Sequence, residues 1–243
     1  MELLADFGNS LIKLALYEDE TCVLQDRFDL TAKWETTWKL WQKTYTIERG
    51  ILSNVGKEST ERLLRRFNHP GVQPIKAFPI FPMKMSYKTP ETLGDDRLAL
   101  AAAARKKYPN RNVLVVDMGS CITYDFCSAE GIYSGGAISP GLEMRYKALH
   151  HFTGRLPALE SQLPTSFQGD STAASIHAGI HHGIRGEIEY QYHAYAQKHT
   201  NLLLILTGGD ASILPKTLKN TIFAQPNFLF EGLQFILQLN RTT

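Results

Sequence analysis

The sequence predicts an α/β fold of two similar lobes, each a mixed sheet with flanking helices. The chain of 243 residues carries one turn signature twice, around Asp6 and around Asp117. Each copy is an apolar run, then Asp-x-Gly, a small polar residue and a second apolar run. Strand-like runs alternate with helical runs along the chain, and its length suits two domains of about 100–150 residues each. We therefore expect one lobe over 1–110 and a second lobe over 111–243.

In the first half, the opening residues predict a β-hairpin. Its strands span 2–8 and 11–17, and the Gly8-Asn9 pair between them favours a tight turn. The further predicted elements are a strand near 21–30, a helix over 34–42, a strand over 50–55 and helices over 58–67 and 93–108. Residues 69–92 are rich in Pro and Lys and lack periodicity, which predicts a surface segment that lines a site.

The helix predicted over 34–42 carries three tryptophans, Trp34, Trp38 and Trp41, on one face. A stripe of this kind is typical of a core-facing surface, and stacking on a ligand is the less favoured alternative. We therefore expect these rings to pack inside the first lobe.

The second half repeats the pattern of the first. Residues 112–117 form a nearly continuous apolar run, which predicts a strand buried in the sheet interior. A hairpin is expected to continue through 122–127 and return over 131–138. The remaining predicted elements are helices over 140–151, 171–199 and 228–239 and a buried strand over 202–206 that ends in Thr207-Gly208-Gly209.

Composition narrows the class of protein. The chain is 43% hydrophobic and 21% charged with a net charge of +2, and its Lys and Arg residues form no continuous stripe that would favour nucleic acid. No run of 18 apolar residues predicts a membrane span, and the N-terminus has no secretory pattern. Three cysteines without a CxxC pair indicate a reducing compartment, so we predict a cytoplasmic protein.

The first turn has the chemistry of a phosphate loop. Its backbone amides can face a phosphate, Asn9 or Ser10 can donate a hydrogen bond, and Lys13 can neutralise charge. It is not a Walker A loop, since GxxxxGK[ST] is missing, and an ordinary hairpin turn would explain it by itself. The second turn at Asp117 and the Gly-rich end at Thr207 favour a nucleotide held in a cleft between two lobes.

A second set of polar residues, Gly94-Asp95-Asp96-Arg97, stands at the start of the Ala-rich helix over 93–108. A carboxylate beside a guanidinium can accept a hydroxyl proton and hold an anionic group of a substrate. The alternative is that the two acidic residues only complement the helix dipole, as in many proteins. The residues by themselves leave both interpretations open.

These strings together resemble the type III pantothenate kinases of the acetate kinase/sugar kinase/Hsp70/actin superfamily, whose lobes are RNase H-like. The resemblance covers nearly the whole chain. It rests on Asp-x-Gly-Asn-Ser at 6–10, on Tyr87-x-x-Pro-x-x-Leu-Gly-x-Asp-Arg at 87–97 and on the Asp-x-Gly turn at 117–119. It continues in Gly-Gly-Ala-Ile-x-Pro-Gly at 135–141, Leu-Pro at 156–157 and the Ser-Thr helix start at 171–172.

The resemblance implies ATP-dependent phosphorylation of pantothenate, the first step of coenzyme A synthesis, with Mg²⁺ and a monovalent cation such as K⁺ or NH₄⁺. It implies that Asp96 accepts the hydroxyl proton and that Asp117 binds the monovalent cation. The residues implied to contact ATP are Asp6, Phe7, Gly8, Asn9, Ser10, Leu11, Ile12, Lys13 and Ser120. Those implied to bind pantothenate are Tyr87, Gly94, Asp95, Asp96, Arg97 and Thr172. Members are typically homodimers whose interface contributes to the pantothenate pocket.

One turn departs from the family pattern. The second turn more often reads Asp-x-Gly-Thr-Ala, whereas this chain has Ser120-Cys121 after Gly119. Ser120 keeps a hydroxyl group that can form a hydrogen bond with a phosphate. Cys121 is bulkier than the usual Ala, which leaves open which monovalent cation the turn prefers.

Two other features have simpler explanations beside the functional ones. The Ser-Thr pair at 171–172 suits a helix N-cap, and only the resemblance implies that Thr172 contacts pantothenate. His177 and His181 lie four residues apart, but a zinc protease would need Glu where the chain has Ala178, so packing is favoured.

Two rival functions remain open at this point. One is a non-catalytic regulatory relative of the same fold, and the other is a kinase of the superfamily that acts on a sugar or on acetate.

Overall fold

The computed structural model describes residues 1–214, 221–223 and 227–241, and of 221–223 it describes the backbone alone. The strands are β1 (Glu2–Phe7), β2 (Leu11–Glu18), β3 (Thr21–Asp29), β4 (Arg49–Asn54), β5 (Val72–Pro74), β6 (Lys84–Met85), β7 (Val113–Met118), β8 (Cys121–Cys127), β9 (Ile132–Pro140), β10 (Leu203–Thr207) and β11 (Thr221–Phe223). The α-helices are α1 (Trp34–Thr44), α2 (Thr60–Phe67), α3 (Asp95–Lys107), α4 (Leu142–His151), α5 (Thr172–Ala196) and α6 (Phe228–Leu239). The α/β prediction is confirmed.

The chain divides into two compact units, Met1–Pro109 with Asn227–Thr243, and Asn110–Pro226. The last helix, α6, belongs to the first unit, whereas the lobe predicted over 111–243 would include it. The reason is its packing on α3: a Cβ atom at Gly232 would lie 1.8 Å from the Ala99 carbonyl oxygen, so the two helices touch through their backbones.

In the first unit the strands follow the order β3-β2-β1-β4-β5. The β1–β2–β3 meander is antiparallel, and β4 and β5 are parallel to β1. Every residue of β1 is buried, as the strand lies at the centre of its sheet. The Gly8-Asn9 hairpin is therefore confirmed, and it sets Asp6 directly opposite Lys13.

The three tryptophans of α1 pack in the core of the first unit, as expected. Trp34 and Trp38 are 1% exposed, and both rings lie against Phe67 of α2. The Trp38 Nε1–H group donates to the Phe67 carbonyl oxygen at 2.9 Å, which satisfies a polar atom that burial would otherwise leave unpaired.

The second unit repeats the topology of the first. Its strands follow the order β11-β10-β7-β8-β9, with an antiparallel β7–β8–β9 meander and with β10 and β11 in parallel register beside β7. The strand β7 is almost entirely buried, as its apolar run predicts. Its core face packs with α4 and α5, where Leu114, Ile180 and Ile184 share one apolar cluster.

Helix α5 is continuous over 25 residues, within the helix predicted over 171–199. Among the described residues, no helix has the length and apolar character needed to cross a membrane.

A half-buried carboxylate, Glu187 of α5, joins four elements of the second unit. It accepts hydrogen bonds from Tyr124 of β8 at 2.7 Å, from Ser139 of β9 at 2.9 Å and from Arg145 of α4 at 2.5 Å. Burial by itself would raise the pKa of Glu187, but these donors outweigh it and lower the pKa below its ordinary 4.5.

We expect Glu187→Gln to lower the free energy of unfolding at pH 7 by about 2 kcal/mol, because a charge-assisted network loses its anion. A carboxyl group whose pKa falls on folding stabilises the protein above its unfolded pKa. That contribution is lost as the pH falls through the lower folded value, so the difference between the two proteins should shrink below pH 4.5. Urea unfolding at several pH values measures it.

The matched control is Glu189→Gln, on the same helix, where the carboxylate pairs with Arg185 one turn away. That exposed pair is worth well under about 1 kcal/mol. Equal losses in both variants, or a Glu187→Gln loss that does not change with pH, would contradict the prediction.

Candidate functional site

The first Asp-x-Gly turn places a buried carboxylate at the end of β1. Asp6 is 3% exposed, and its Oδ2 atom lies 3.3 Å from Lys13 Nζ across the hairpin. Its Oδ1 atom accepts a hydrogen bond from Ser53 of β4 at 3.0 Å. Ser53 is absent from the sequence prediction, because its place beside Asp6 is set by the parallel register of β1 and β4.

The residues of the first turn divide into two groups. Gly8 N–H donates to the Leu11 carbonyl oxygen at 3.0 Å, which closes the turn, and Asn9, Ser10 and Leu11 are exposed around it. Phe7 and Ile12, also expected to contact ATP, are each 5% exposed and lie in the core cluster. Their side chains therefore pack in the core beneath the turn, so that only their backbone atoms could contact a phosphate.

The start of α3 gathers the second set of predicted residues. Asp95, the first residue of the helix, is 6% exposed. Its Oδ2 atom accepts from the backbone N–H of Asn54 at 2.9 Å, and its Oδ1 atom lies 3.5 Å from Lys76 Nζ. Burial raises the pKa of Asp95, and the Asn54 amide and Lys76 oppose that rise without cancelling it.

Asp96 and Arg97 differ from Asp95 in their surroundings. Asp96 is half-buried, and its Oδ1 atom accepts from the Arg97 backbone N–H at 2.8 Å. The Arg97 side chain is 5% exposed, and its guanidinium carbon lies 5.9 Å from the centre of the Tyr87 ring. Gly94 is the N-cap of the helix, where a Cβ atom would lie 2.5 Å from Asp96 Oδ1. The structure thus brings Tyr87, Gly94, Asp96 and Arg97 together.

The second Asp-x-Gly turn lies at the end of β7. Asp117 stands opposite Thr123 of β8 and Thr207 of β10, so a hydroxyl residue takes the position that Lys13 holds in the first turn. Thr123 is 8% exposed, and its Oγ1 atom is buried with no hydrogen-bond partner among the described residues. The second turn is also one residue tighter, because Gly119 N–H donates to the Cys121 carbonyl oxygen.

The Gly-rich end of β10 packs directly on the second turn. Gly208 has φ 93°, and a Cβ atom there would lie 2.4 Å from the Met118 carbonyl oxygen and 2.5 Å from Asp117 Oδ1. The Asp210 N–H donates to the Met118 carbonyl oxygen at 3.0 Å. Only glycine fits between these two backbones in that conformation.

Thr172 lies at the start of α5, but it is not the helix cap. The side chain of Ser171 accepts the Ala174 N–H at 3.2 Å and fills that role. Thr172 instead lines a groove of about 1180 Å³ in the second unit, together with Arg145, Phe152, Ile176 and Ile180. Capping therefore does not account for Thr172.

The histidines of α5 pack within the second unit, as favoured from sequence. His177 Nδ1 is hydrogen-bonded to Tyr146 Oη at 2.7 Å, and His181 Nε2 lies 3.3 Å from Ser161 Oγ. Burial lowers the pKa of His181, and the neighbouring His177 and His182 lower it further. Across the residues that the structure describes, no three His, Cys, Asp or Glu side chains are grouped as metal ligands.

A family model and individual relatives both place the chain in one family. The model of the type III pantothenate kinase family matches residues 2–194. A type III pantothenate kinase of Christiangramia forsetii is 42% identical over 244 residues and covers 100% of both chains. One from Bacteroides fragilis is 38% identical and covers 99% of this chain and 98% of its own.

Solved structures agree with the fold. A Campylobacter jejuni protein assigned to the Baf family superposes with a TM-score of 0.66 at 23% identity and covers 98% of both chains. An inorganic polyphosphate/ATP-glucomannokinase of Arthrobacter superposes with a TM-score of 0.53 at 13% identity, over 98% of this chain and 99% of its own. At these identities the likeness concerns the fold alone.

We expect Gly208→Ala to destabilise the protein by at least about 2 kcal/mol, because alanine is strained at positive φ and its methyl group meets Asp117 and Met118. Thermal unfolding followed by circular dichroism measures it. Gly209→Ala is the matched control in the same turn, since a Cβ atom there has nothing within 4 Å. Equal melting temperatures for the two variants would refute the close packing of these turns.

Proposed function

Because the chain belongs to the type III pantothenate kinase family, we propose that it transfers a phosphoryl group from ATP to pantothenate, giving 4'-phosphopantothenate in the first step of coenzyme A biosynthesis. The observation that carries the proposal is the assembly at the start of α3. There a half-buried carboxylate, Asp96, lies beside a buried guanidinium, Arg97, under the Tyr87 ring. A hydroxyl acceptor with an anionic group elsewhere in the molecule requires this combination.

The surroundings of the two neighbouring aspartates favour Asp96 as the general base. Asp95 is buried, and both of its oxygens are engaged by the Asn54 amide and by Lys76. Asp96 is half-buried, and its Oδ1 atom accepts a hydrogen bond from the Arg97 backbone N–H in the same helix. In phosphoryl transfer with a loose transition state, the main task of the base is to orient the hydroxyl group.

Each unit by itself offers groups that suit the substrate. In the first unit, Arg97 offers a paired hydrogen bond to the pantothenate carboxylate or amide, and Tyr87 and Gly94 border the same position. In the second unit, Thr172 lines an apolar groove whose polar edge includes Arg145.

The first turn fits the triphosphate of ATP. The exposed residues Asn9, Ser10 and Leu11 carry backbone amides, and the Lys13 ammonium lies on the second strand of the same hairpin. We expect residues 6–13 and the Ser120 hydroxyl to contact ATP. Bound ATP supplies the phosphoryl group, and Mg²⁺ offsets its charge, with oxygen donors such as the strand-end carboxylates as its preferred ligands.

The second turn suits a monovalent cation. Asp117 faces the hydroxyl residues Thr123 and Thr207 in register, and the buried Thr123 Oγ1 atom has no hydrogen-bond partner among the described residues. A buried oxygen of this kind calls for a ligand, and a cation such as K⁺ or NH₄⁺ takes carboxylate and hydroxyl oxygens. We therefore assign the cation to Asp117 with Thr123.

The protein is further proposed to act as a cytoplasmic homodimer. Phe152 and Phe167 are 81% and 83% exposed, and Leu163 is 62% exposed, all in one stretch of the second unit. Large apolar side chains at such exposure are typical of a surface covered by another chain, and family members are typically dimers. None of the three cysteines, all in the described part of the chain, forms a disulfide. A monomer in sedimentation equilibrium would contradict the dimer.

A sugar or acetate kinase of the superfamily is the alternative, supported by the fold that this chain shares with the glucomannokinase. A non-catalytic relative is less favoured, because the residues of the acceptor site are all present and gathered.

The decisive measurement is ADP release by the purified protein with pantothenate, hexoses and acetate in parallel. We expect release to depend on pantothenate and to fall at least a hundredfold in Asp96→Asn, while ATP affinity changes less than about threefold. Asp26→Asn, an exposed carboxylate of β3, is the control. Release stimulated by a hexose or by acetate refutes the substrate, and full activity of Asp96→Asn refutes the base.

The cation assignment predicts that Thr123→Val raises the K⁺ or NH₄⁺ concentration needed for half-maximal activity by roughly tenfold, because valine keeps the shape and removes one oxygen ligand. The measurement is activity against KCl, NH₄Cl and NaCl at constant ionic strength. The control is Thr21→Val, an exposed hydroxyl at the start of β3. An unchanged cation requirement would remove Thr123 from the site.

A further inference from the structure

Asp95 ties three segments of the first unit together. It begins α3, accepts the N–H of Asn54 at the end of β4, and lies 3.5 Å from Lys76 in the short 3₁₀ turn Ile75–Ala77. Its carboxylate is enclosed, with the residue 6% exposed. A substrate group would have to displace one of these two partners to reach it.

Lys76 continues the connection to the segment that precedes α3. Its Nζ atom donates to the Glu91 carbonyl oxygen at 2.9 Å, in the turn Pro90–Thr92, while the same ammonium group faces Asp95. One lysine therefore holds both the segment that carries Tyr87 and the first residue of the helix. The side chain of Lys76 is 38% exposed, so its head group also reaches solvent.

The direction of Asp96 depends on this same backbone. The residue follows Asp95 directly, and its carboxylate is oriented by the Arg97 N–H in the first helical turn. A shift of about 1 Å in a reacting group can cost about a hundredfold in rate. Whatever fixes the first turn of α3 therefore also fixes the base of the reaction proposed above.

We propose that Asp95 and Lys76 are positioning residues that hold the first turn of α3, and with it the Asp96 carboxylate, and that Asp95 does not contact pantothenate. This inference rests on the proposed kinase function. It departs from the expectation, drawn from the family resemblance, that Asp95 binds the substrate.

Charge explains why an aspartate and a lysine are needed together. Burial and the nearby Asp6 raise the pKa of Asp95, and the Asn54 amide and the Lys76 ammonium oppose them. Without Lys76, the buried carboxylate keeps its desolvation cost and loses its countercharge. The two residues should therefore act as one unit rather than contribute separately.

The test uses Asp95→Asn, Lys76→Met and the double variant in the full-length protein. Asparagine keeps an oxygen for the Asn54 amide, and methionine keeps most of the lysine stem. For each single variant we expect kcat to fall roughly tenfold to a hundredfold, with the KM for pantothenate within about twofold of the original. The double variant should be no worse than the poorer single variant by more than about twofold.

A second measurement does not depend on the substrate. Amide hydrogen exchange at Asn54 and over residues 95–98 should be faster in both single variants, because contacts that join Asp95 to Asn54 and Lys76 are lost. The matched controls are Asp26→Asn in β3 and Lys88→Met in the segment before α3, both exposed. Neither control should change kcat or exchange at these amides.

The outcomes separate this inference from the proposed function. If the original protein shows no pantothenate-dependent ADP release, the proposed function fails. Hydrogen exchange still decides whether Asp95 and Lys76 hold the first turn of α3. A raised KM with unchanged kcat in Asp95→Asn would make Asp95 a substrate ligand and overturn the inference. Unchanged kcat, additive losses in the double variant, or unaltered exchange would overturn it as well.

Discussion

The buried carboxylate of Asp6 imposes the constraint on which the first unit is organised. A carboxylate that is 3% exposed must be paired and hydrogen-bonded, and Lys13 and Ser53 supply both. Because these partners come from the strands on either side of β1, satisfying one charge also fixes the register of three central strands. The contacts of Asp6 with Lys13 and Ser53 therefore stabilise this hairpin together with the apolar core.

The second unit has the same strand order, but the residue that faces its strand-end aspartate is different. Asp117 has Thr123 where Asp6 has Lys13, and the turn that follows is one residue tighter. Asp6 is paired with a lysine across its hairpin, whereas Asp117 stands opposite two hydroxyl residues, Thr123 and Thr207. The residue that faces the aspartate therefore differs in its chemistry between the two units.

The two neighbouring aspartates at the start of α3 also differ in their surroundings. Both benefit from the helix dipole, so sequence position alone does not tell them apart. The difference arises because Asp95 points to the end of β4 and to Lys76, while Asp96 stays half-buried at the helix end. This difference underlies our proposal that Asp95 is a positioning residue and Asp96 the general base.

The α/β class, the hairpin at Gly8-Asn9, the buried tryptophan stripe and the family are all predictable from the sequence, because local turn chemistry, periodicity and ordered motifs encode them. Three features become visible when the chain is folded: α6 lies with the first unit, Ser53 lies beside Asp6 and Thr123 opposite Asp117, and Ser171 rather than Thr172 is the helix cap. The folded structure also shows that Phe7 and Ile12 are core residues. These features depend on strand register and on contacts between residues far apart in the chain, such as Asn54 with Asp95, and local sequence patterns carry no record of such contacts.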